Sequence, residues 1–273
     1  MSVTRSIALR TRGTQHGFIR RMVSPGDLGE RLKPFIFLDV VGGQVPAGTG
    51  FGFHPHSGIA TLTYQVNADV AYEDTAGQSG IVRATGLEWM RAGGGTWHRG
   101  SLHPQADVVM GFQLWLALPP SLEDGPPEGR YVAPEQVPQV GHVRVLLGSW
   151  GGATNPIPAP SPVVYLDVVL EAGETWTFQP PAGHTVGWVM VYAGRARVAG
   201  EDVDGELVVL DASDAAFTVA ALQASRVLVG CAEWHPYPLV LGRYSVHSNA
   251  ASLAKGEANI LAIGQALRRQ GRM

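Results

Sequence analysis

The chain has 273 residues, 45% of them hydrophobic and 16% charged, with a formal net charge of −3. That is long enough for one large domain or two of ordinary size with a real core, and too weakly charged to gather nucleic acid by itself or an acidic membrane, so the expected partners are a small molecule or another protein. A single cysteine, Cys231, excludes an intramolecular disulfide, and no apolar run reaches bilayer length. The expectation is a cytoplasmic protein with no membrane association.

Five arginines fall in the first twenty-one residues (Arg5, Arg10, Arg12, Arg20 and Arg21), interspersed with apolar and hydroxyl residues as on a solvated strand face. No hydrophobic block or small-residue cleavage pattern accompanies Met1–Arg12, so no export signal is read there. Beyond them, 35 glycines and 19 prolines punctuate short runs rich in Val, Leu, Thr, Tyr and Trp, the pattern of an all-β chain. Strands are predicted over 59–66, 107–118, 142–147, 163–170, 186–192, 206–210 and 226–231. The segment 121–139 is rich in proline, which cannot donate to a sheet ladder, and predicts a linker. The expected domains are therefore 1–120 and 140–273. One weak internal match, "LTYQVNADVA" (Leu62 to Ala71) with "VMVYAGRARV" (Val189 to Val198), suggests two copies of a β barrel. After Ser248-Asn249 the period changes: Leu253, Ile260, Ile263 and Leu267 recur at helical spacing, and Arg268, Arg269 and Gly271 suit a helix C-terminus.

The stretch "FGFHPHSG" (Phe51 to Gly58) places His54 and His56 two apart, so that on an extended strand both project to one face. A strand continuing to Val66 without a bulge would add Ala60, Leu62, Tyr64 and Val66 to that face, an apolar set pointing into a barrel. An H-x-H pair is by itself equally at home on an exposed strand end. Downstream, "AGGGTWHRG" sets three glycines before His98, which makes sense where the backbone turns sharply or something approaches it closely. A divalent cation needs convergent imidazoles with open positions for water or substrate, and His54, His56 and His98 would supply three.

In combination, "PFIFLD" (Pro34 to Asp39), "FHPHSGIATLTY" (Phe53 to Tyr64), "YEDTAG" (Tyr72 to Gly77), "LEWMRAGGGTWHRG" (Leu87 to Gly100) and "FQLWLALPP" (Phe112 to Pro120) resemble the pirin family of bicupins, in order and spacing. "YLDVVLEAG" (Tyr165 to Gly173) and the final helix extend the resemblance over nearly the whole chain. The resemblance implies two consecutive cupin barrels (double-stranded β-helices, or jelly rolls) with a C-terminal helix, and one metal in the first: iron first, with Mn, Ni or Zn as alternatives. Some members resemble quercetinase, a flavonol-cleaving dioxygenase; others act as metal-dependent partners of transcription factors.

The family's ligands are three histidines, matched by His54, His56 and His98, and a glutamate two residues beyond the third. Here Gly100 stands in that glutamate's place, and the Arg that often follows H-P-H is Ser57. Losing a carboxylate leaves the ion its full formal charge, weakens its binding and removes the natural acceptor for a substrate proton. His103 is a further candidate for a fourth ligand, while Glu73 and Glu88 are carboxylates on neighbouring elements, Glu88 read as solvent-exposed or ion-paired. Trp89, Trp97 and Trp115 read as barrel packing, with Tyr64 and Phe112 as candidates for the cavity wall. His184, His235 and His247 are too dispersed to predict a second metal. Three functions are compatible with these residues: a metal-dependent dioxygenase acting on a small aromatic molecule, a metal-binding regulatory module that meets a protein partner, or a degenerate cupin that binds no metal.

Overall fold

Runs rich in β-branched and aromatic residues become strands: Ile59–Gln65, Val109–Ala117, Val143–Leu147, Val163–Leu170, Val186–Ala193, Leu207–Leu210 and Ser225–Ala232. The computed structural model describes residues 5–273; Met1–Thr4, at the start of the expected first domain and of the arginine-bearing segment, lie outside the described residues. The chain is a bicupin, two barrels each built from a seven-stranded and a four-stranded antiparallel sheet.

In the first barrel the larger sheet runs Glu128–Val132, Leu87–Arg91, Ile59–Gln65, Val109–Ala117, Phe35–Gly43, Ile19–Val23 and Thr14–His16. The smaller runs Gly50–His56, Thr96–Pro104, Ala68–Asp74 and Ser79–Val82. The second barrel is filled by apolar side chains from both of its sheets, including Val145, Leu166, Val189, Val229, Trp176, Phe178 and Phe217. Each such side chain withdrawn from water contributes about 1.5–3 kcal/mol.

Three features differ from expectation. Glu128–Val132, inside the expected linker 121–139, pairs with Leu87–Arg91 from Glu128↔Arg91 to Val132↔Leu87. The prolines flank this strand and leave it free to donate. The compact units also exchange their ends: one comprises 15–136 and 235–273, the other the N-terminal segment to Thr14 and 137–234. Ile7–Thr11 pairs with Leu207–Leu210, and the terminal helix Ala250–Arg269 packs on the first barrel, where the Trp97 indole N–H donates to the Ile260 carbonyl at 2.7 Å. A boundary near 140 therefore divides the strands but not the termini.

The helix itself begins and ends on the expected residues. Asn249 caps it, its side chain accepting from the Ser252 N–H at 2.9 Å, and Gly271 closes it at φ 67°. Gly95, at φ 143°, lies where a Cβ would come within 2.9 Å of Asn259 and Ile260. The glycine run before His98 thus admits the helix against the barrel.

Candidate metal centre

Gly50–His56 and Thr96–Pro104 pair antiparallel with His98 opposite His54 and Thr96 opposite His56. This register gathers the three imidazoles. Ring centroids are 4.3 Å apart for His54 and His98 and 5.1 Å for the other two pairs, and one ring nitrogen from each residue lies within 4.8 Å of the others. His54 Nδ1 sits 2.9 Å from the Gly52 carbonyl and His56 Nδ1 3.1 Å from the Tyr244 carbonyl. A carbonyl only accepts, so both Nδ1 atoms carry the proton and both Nε2 lone pairs are free. His98 Nε2 is buried without a hydrogen-bond partner.

Burial, reinforced by the neighbouring His98, pushes the His54 imidazole down to about 4, and the same causes hold His56 well below the usual imidazole range. Imidazoles gathered in this way, with one buried nitrogen left without a partner, are the donor set a divalent transition metal takes.

The cluster opens on a cavity of about 320 Å³. One wall is aromatic: Trp115 meets His56 edge-on at 4.8 Å and stacks on Phe37 at 4.0 Å, and the Arg21 guanidinium covers Phe37 at 4.2 Å. Beside it runs a polar row across five strands of the larger sheet, in the register Glu88↔Thr63↔Gln113↔Asp39↔Arg21. Thr63 Oγ1 lies 2.8 Å from Glu88 Oε2 and 3.0 Å from Gln113 Oε1, and Arg21 holds Asp39 through two hydrogen bonds of 2.8 Å. Gln113 Nε2 and Gln65 Oε1 are buried without partners, and both residues line the cavity.

The expected inward set is inverted on the strand after the histidines. Thr63 and Gln65 line the cavity, whereas Ala60, Leu62 and Tyr64 are buried away from it. Gly58, at φ 73°, turns the chain between His56 and Ile59, and the two strands enter different sheets, so parity does not carry across. Tyr64 and Phe112 stack on each other at 6.2 Å rather than lining the cavity, and Trp115, read as packing, lines it.

His103 is not part of the cluster. The strand pairs regularly with Ala68–Asp74 from His98 to Pro104, so a residue five beyond His98 lies on the opposite face, and His103 is exposed. Glu73 is occupied by Arg99, whose Nε is 2.9 Å away, and by Arg272. Glu88 is not solvent-exposed: it is 7% accessible and points into the cavity, with Oε1 3.9 Å from His98 Nδ1. Burial pushes its carboxyl up, but the His98 imidazole and the Thr63 hydroxyl outweigh this and hold it below the usual carboxylate range. Gly100 lines the cavity without contributing a donor.

Ser57 is fully buried with Oγ 2.9 Å from both Ser245 Oγ and His247 Nε2. A Cβ on Gly256 would come within 2.4 Å of Ser57 Oγ, so the helix closes this group off. His235 and His247 are buried in the first unit and His184 in the second, each outside the cluster.

Residues 18–116 match the family model described as Pirin. In its overall course the chain is similar to the crystal structure of quercetin 2,3-dioxygenase from Acinetobacter baumannii, with a TM-score of 0.87 at 22% identity over 96% of this chain and 98% of that one. It is also similar to the nickel(II) complex of the bacterial pirin YhhW from Escherichia coli, with a TM-score of 0.66 at 20% identity over 86% of this chain and all (100%) of that one. At these identities the likeness establishes the fold. With a pirin-like protein of Caulobacter vibrioides the chain shares 31% identity over 210 residues, 73% of this chain and 75% of that protein. On that match, and on the cupin strands that gather His54, His56 and His98, the chain belongs to the pirin family.

Proposed function

We propose that the first barrel holds one divalent metal on His54, His56 and His98 and acts as a dioxygenase of quercetin 2,3-dioxygenase type on a small hydroxylated aromatic molecule. The observation behind this reading is the convergence of three imidazoles at a cavity with one aromatic and one polar wall. Iron is the first candidate, and Mn, Ni and Zn suit the same imidazoles. A bound ion would supply Lewis acidity toward an aromatic hydroxyl and, if redox-active, a route for electrons to dioxygen.

The protein's own groups bind and orient. Trp115, backed by Phe37, offers an aromatic surface to a planar ring. The unpartnered Gln113 Nε2 would donate to a hydroxyl or carbonyl oxygen, and the unpartnered Gln65 Oε1 would accept from a hydroxyl. The Gly52 and Tyr244 carbonyls keep two imidazoles in the ligating tautomer. Buried Cys231, the single cysteine, suits a reducing cytoplasmic setting.

The test is aerobic turnover of quercetin by metal-loaded protein, with and without a chelator. Turnover that chelation abolishes supports the reading. Gly100 favours a second one, because a site without the family's glutamate lacks its proton acceptor. Stoichiometric metal with no turnover, and a protein partner whose affinity follows the metal, would make the chain a regulatory module.

A further inference from the structure

Two carboxylates face the cavity, and only one has a cation of its own. Asp39 is neutralised by Arg21 through paired hydrogen bonds. Glu88 is 7% accessible, and among the described residues no lysine or arginine forms an ion pair with it. Its Oε2 lies 2.8 Å from the Thr63 hydroxyl, and its Oε1 points toward His98 Nδ1 at 3.9 Å. Asp74, opposite His98 on the neighbouring strand, does not line the cavity and accepts the Gln78 backbone N–H at 2.9 Å.

A buried carboxylate is costly unless positive charge faces it, and a divalent ion on the far side of His98 from Glu88 would be such a charge. Three neutral imidazoles leave a divalent ion its full charge, and Gly100 supplies nothing against it. A carboxylate behind a ligating histidine supplies charge through the ring and fixes its tautomer: Nδ1–H toward the carboxylate, Nε2 toward the ion. His98 is arranged in that sense, with Nδ1 on the Glu88 side and Nε2 orphaned.

We propose that Glu88 is the charge-compensating carboxylate of this metal centre: from the opposite sheet, through His98, it supplies the negative charge that position 100 no longer provides. This rests on the three-histidine metal reading above. Glu88 is a positioning residue, because it acts on the ion through His98.

The test titrates cobalt(II) into metal-free wild-type, E88Q, G100E and E88Q/G100E protein, following affinity by calorimetry, the ligand-field spectrum, and the melting temperature of each apoprotein. Loss of the charge through E88Q is expected to weaken cobalt binding by about 10–100-fold. The apo E88Q protein should melt close to wild type, because a glutamine of the same shape keeps the Thr63 hydroxyl contact. In E88Q/G100E the restored carboxylate should return affinity to within about tenfold of wild type. A residue that merely supports the fold would lower melting temperature and affinity together and would not be rescued at position 100. Wild-type protein that takes up no cobalt overturns the metal reading itself. Wild type that binds cobalt while E88Q binds it equally well, or an E88Q loss that G100E does not restore, overturns the role of Glu88 and leaves the three-histidine centre standing.

Discussion

Tyr244 holds a residue of the candidate metal centre from 188 residues away: its backbone carbonyl lies 3.1 Å from His56 Nδ1 and fixes that imidazole with Nε2 free. The parallel bridge Ser57↔Ser245 and the buried contacts of Ser57 with Ser245 and His247 seat the same segment against the histidine strand. The C-terminal segment is therefore part of the first barrel's site. Ending the chain after Trp234 should abolish stoichiometric metal binding, because His56 loses its acceptor and Ile36 and Ile59 lose Val246 and Leu239 from their core cluster. Ending it after Ser248 keeps Tyr244 but removes Ile260 and Leu267, whose burial is worth about 1.5–3 kcal/mol each. The shorter truncation is expected to be less stable in urea yet to retain metal, measured by elemental analysis of the folded fraction.

A carboxylate introduced at position 100 should strengthen the proposed centre. A Cβ at Gly100 would meet the Ala71 carbonyl and Val70 Cγ1 at 3.4 Å, ordinary contact, so nothing at the backbone forbids a side chain there. Gly100→Glu is expected to raise cobalt(II) or nickel(II) affinity about tenfold or more. Unchanged affinity in calorimetry would mean that a side chain at position 100 does not reach the ion.

The aromatic wall makes its own prediction. Trp115 stacks on Phe37 and meets His56 edge-on, so Trp115→Ala removes a stacking face while leaving all three imidazoles in place. An aromatic pair is worth about 0.5–1.5 kcal/mol beyond area burial. Binding of a flavonol, followed by fluorescence quenching, should weaken about tenfold, with metal content unchanged and Trp115→Phe intermediate. Loss of the metal together with the flavonol would instead assign Trp115 to holding His56.

Acid should destabilise the metal-free protein over a defined range. Burial, with Lys33 nearby, pushes buried His235 down to about 4, and His54 is pushed equally low. The unfolded chain takes these protons near pH 6.5, whereas the folded chain does not until about 4. Between those values the unfolded state holds more protons, so each step down in pH favours unfolding and stability is lost from near 6.5 to about 4. His235→Gln should flatten the dependence of the urea midpoint on pH in that range, whatever it does to stability at pH 7.

Much of this was legible in sequence where the signal is local. Val163–Leu170 and Ser225–Ala232 are apolar, β-branched runs bounded by turn residues; the terminal helix announces itself by period and by Asn249 at its cap. The three histidines could be read because H-x-H on a strand and a glycine run before His98 are short-range patterns. Glu88 could not. It lies between Leu87 and Trp89, which are themselves buried on the other side of the same sheet, so alternation of polar and apolar residues does not say which face is the cavity. Tyr244, the exchanged termini and the strand Glu128–Val132 depend on pairings across tens to hundreds of residues, which no local pattern encodes.

The most direct measurement is elemental analysis of protein purified without a polyhistidine tag, wild type beside a His54→Ala/His98→Ala variant. About one equivalent of iron, manganese, nickel or zinc in the wild type, absent from the folded variant, is the predicted result. A wild type that is metal-free and takes up none of these ions when they are added would contradict the three-histidine centre.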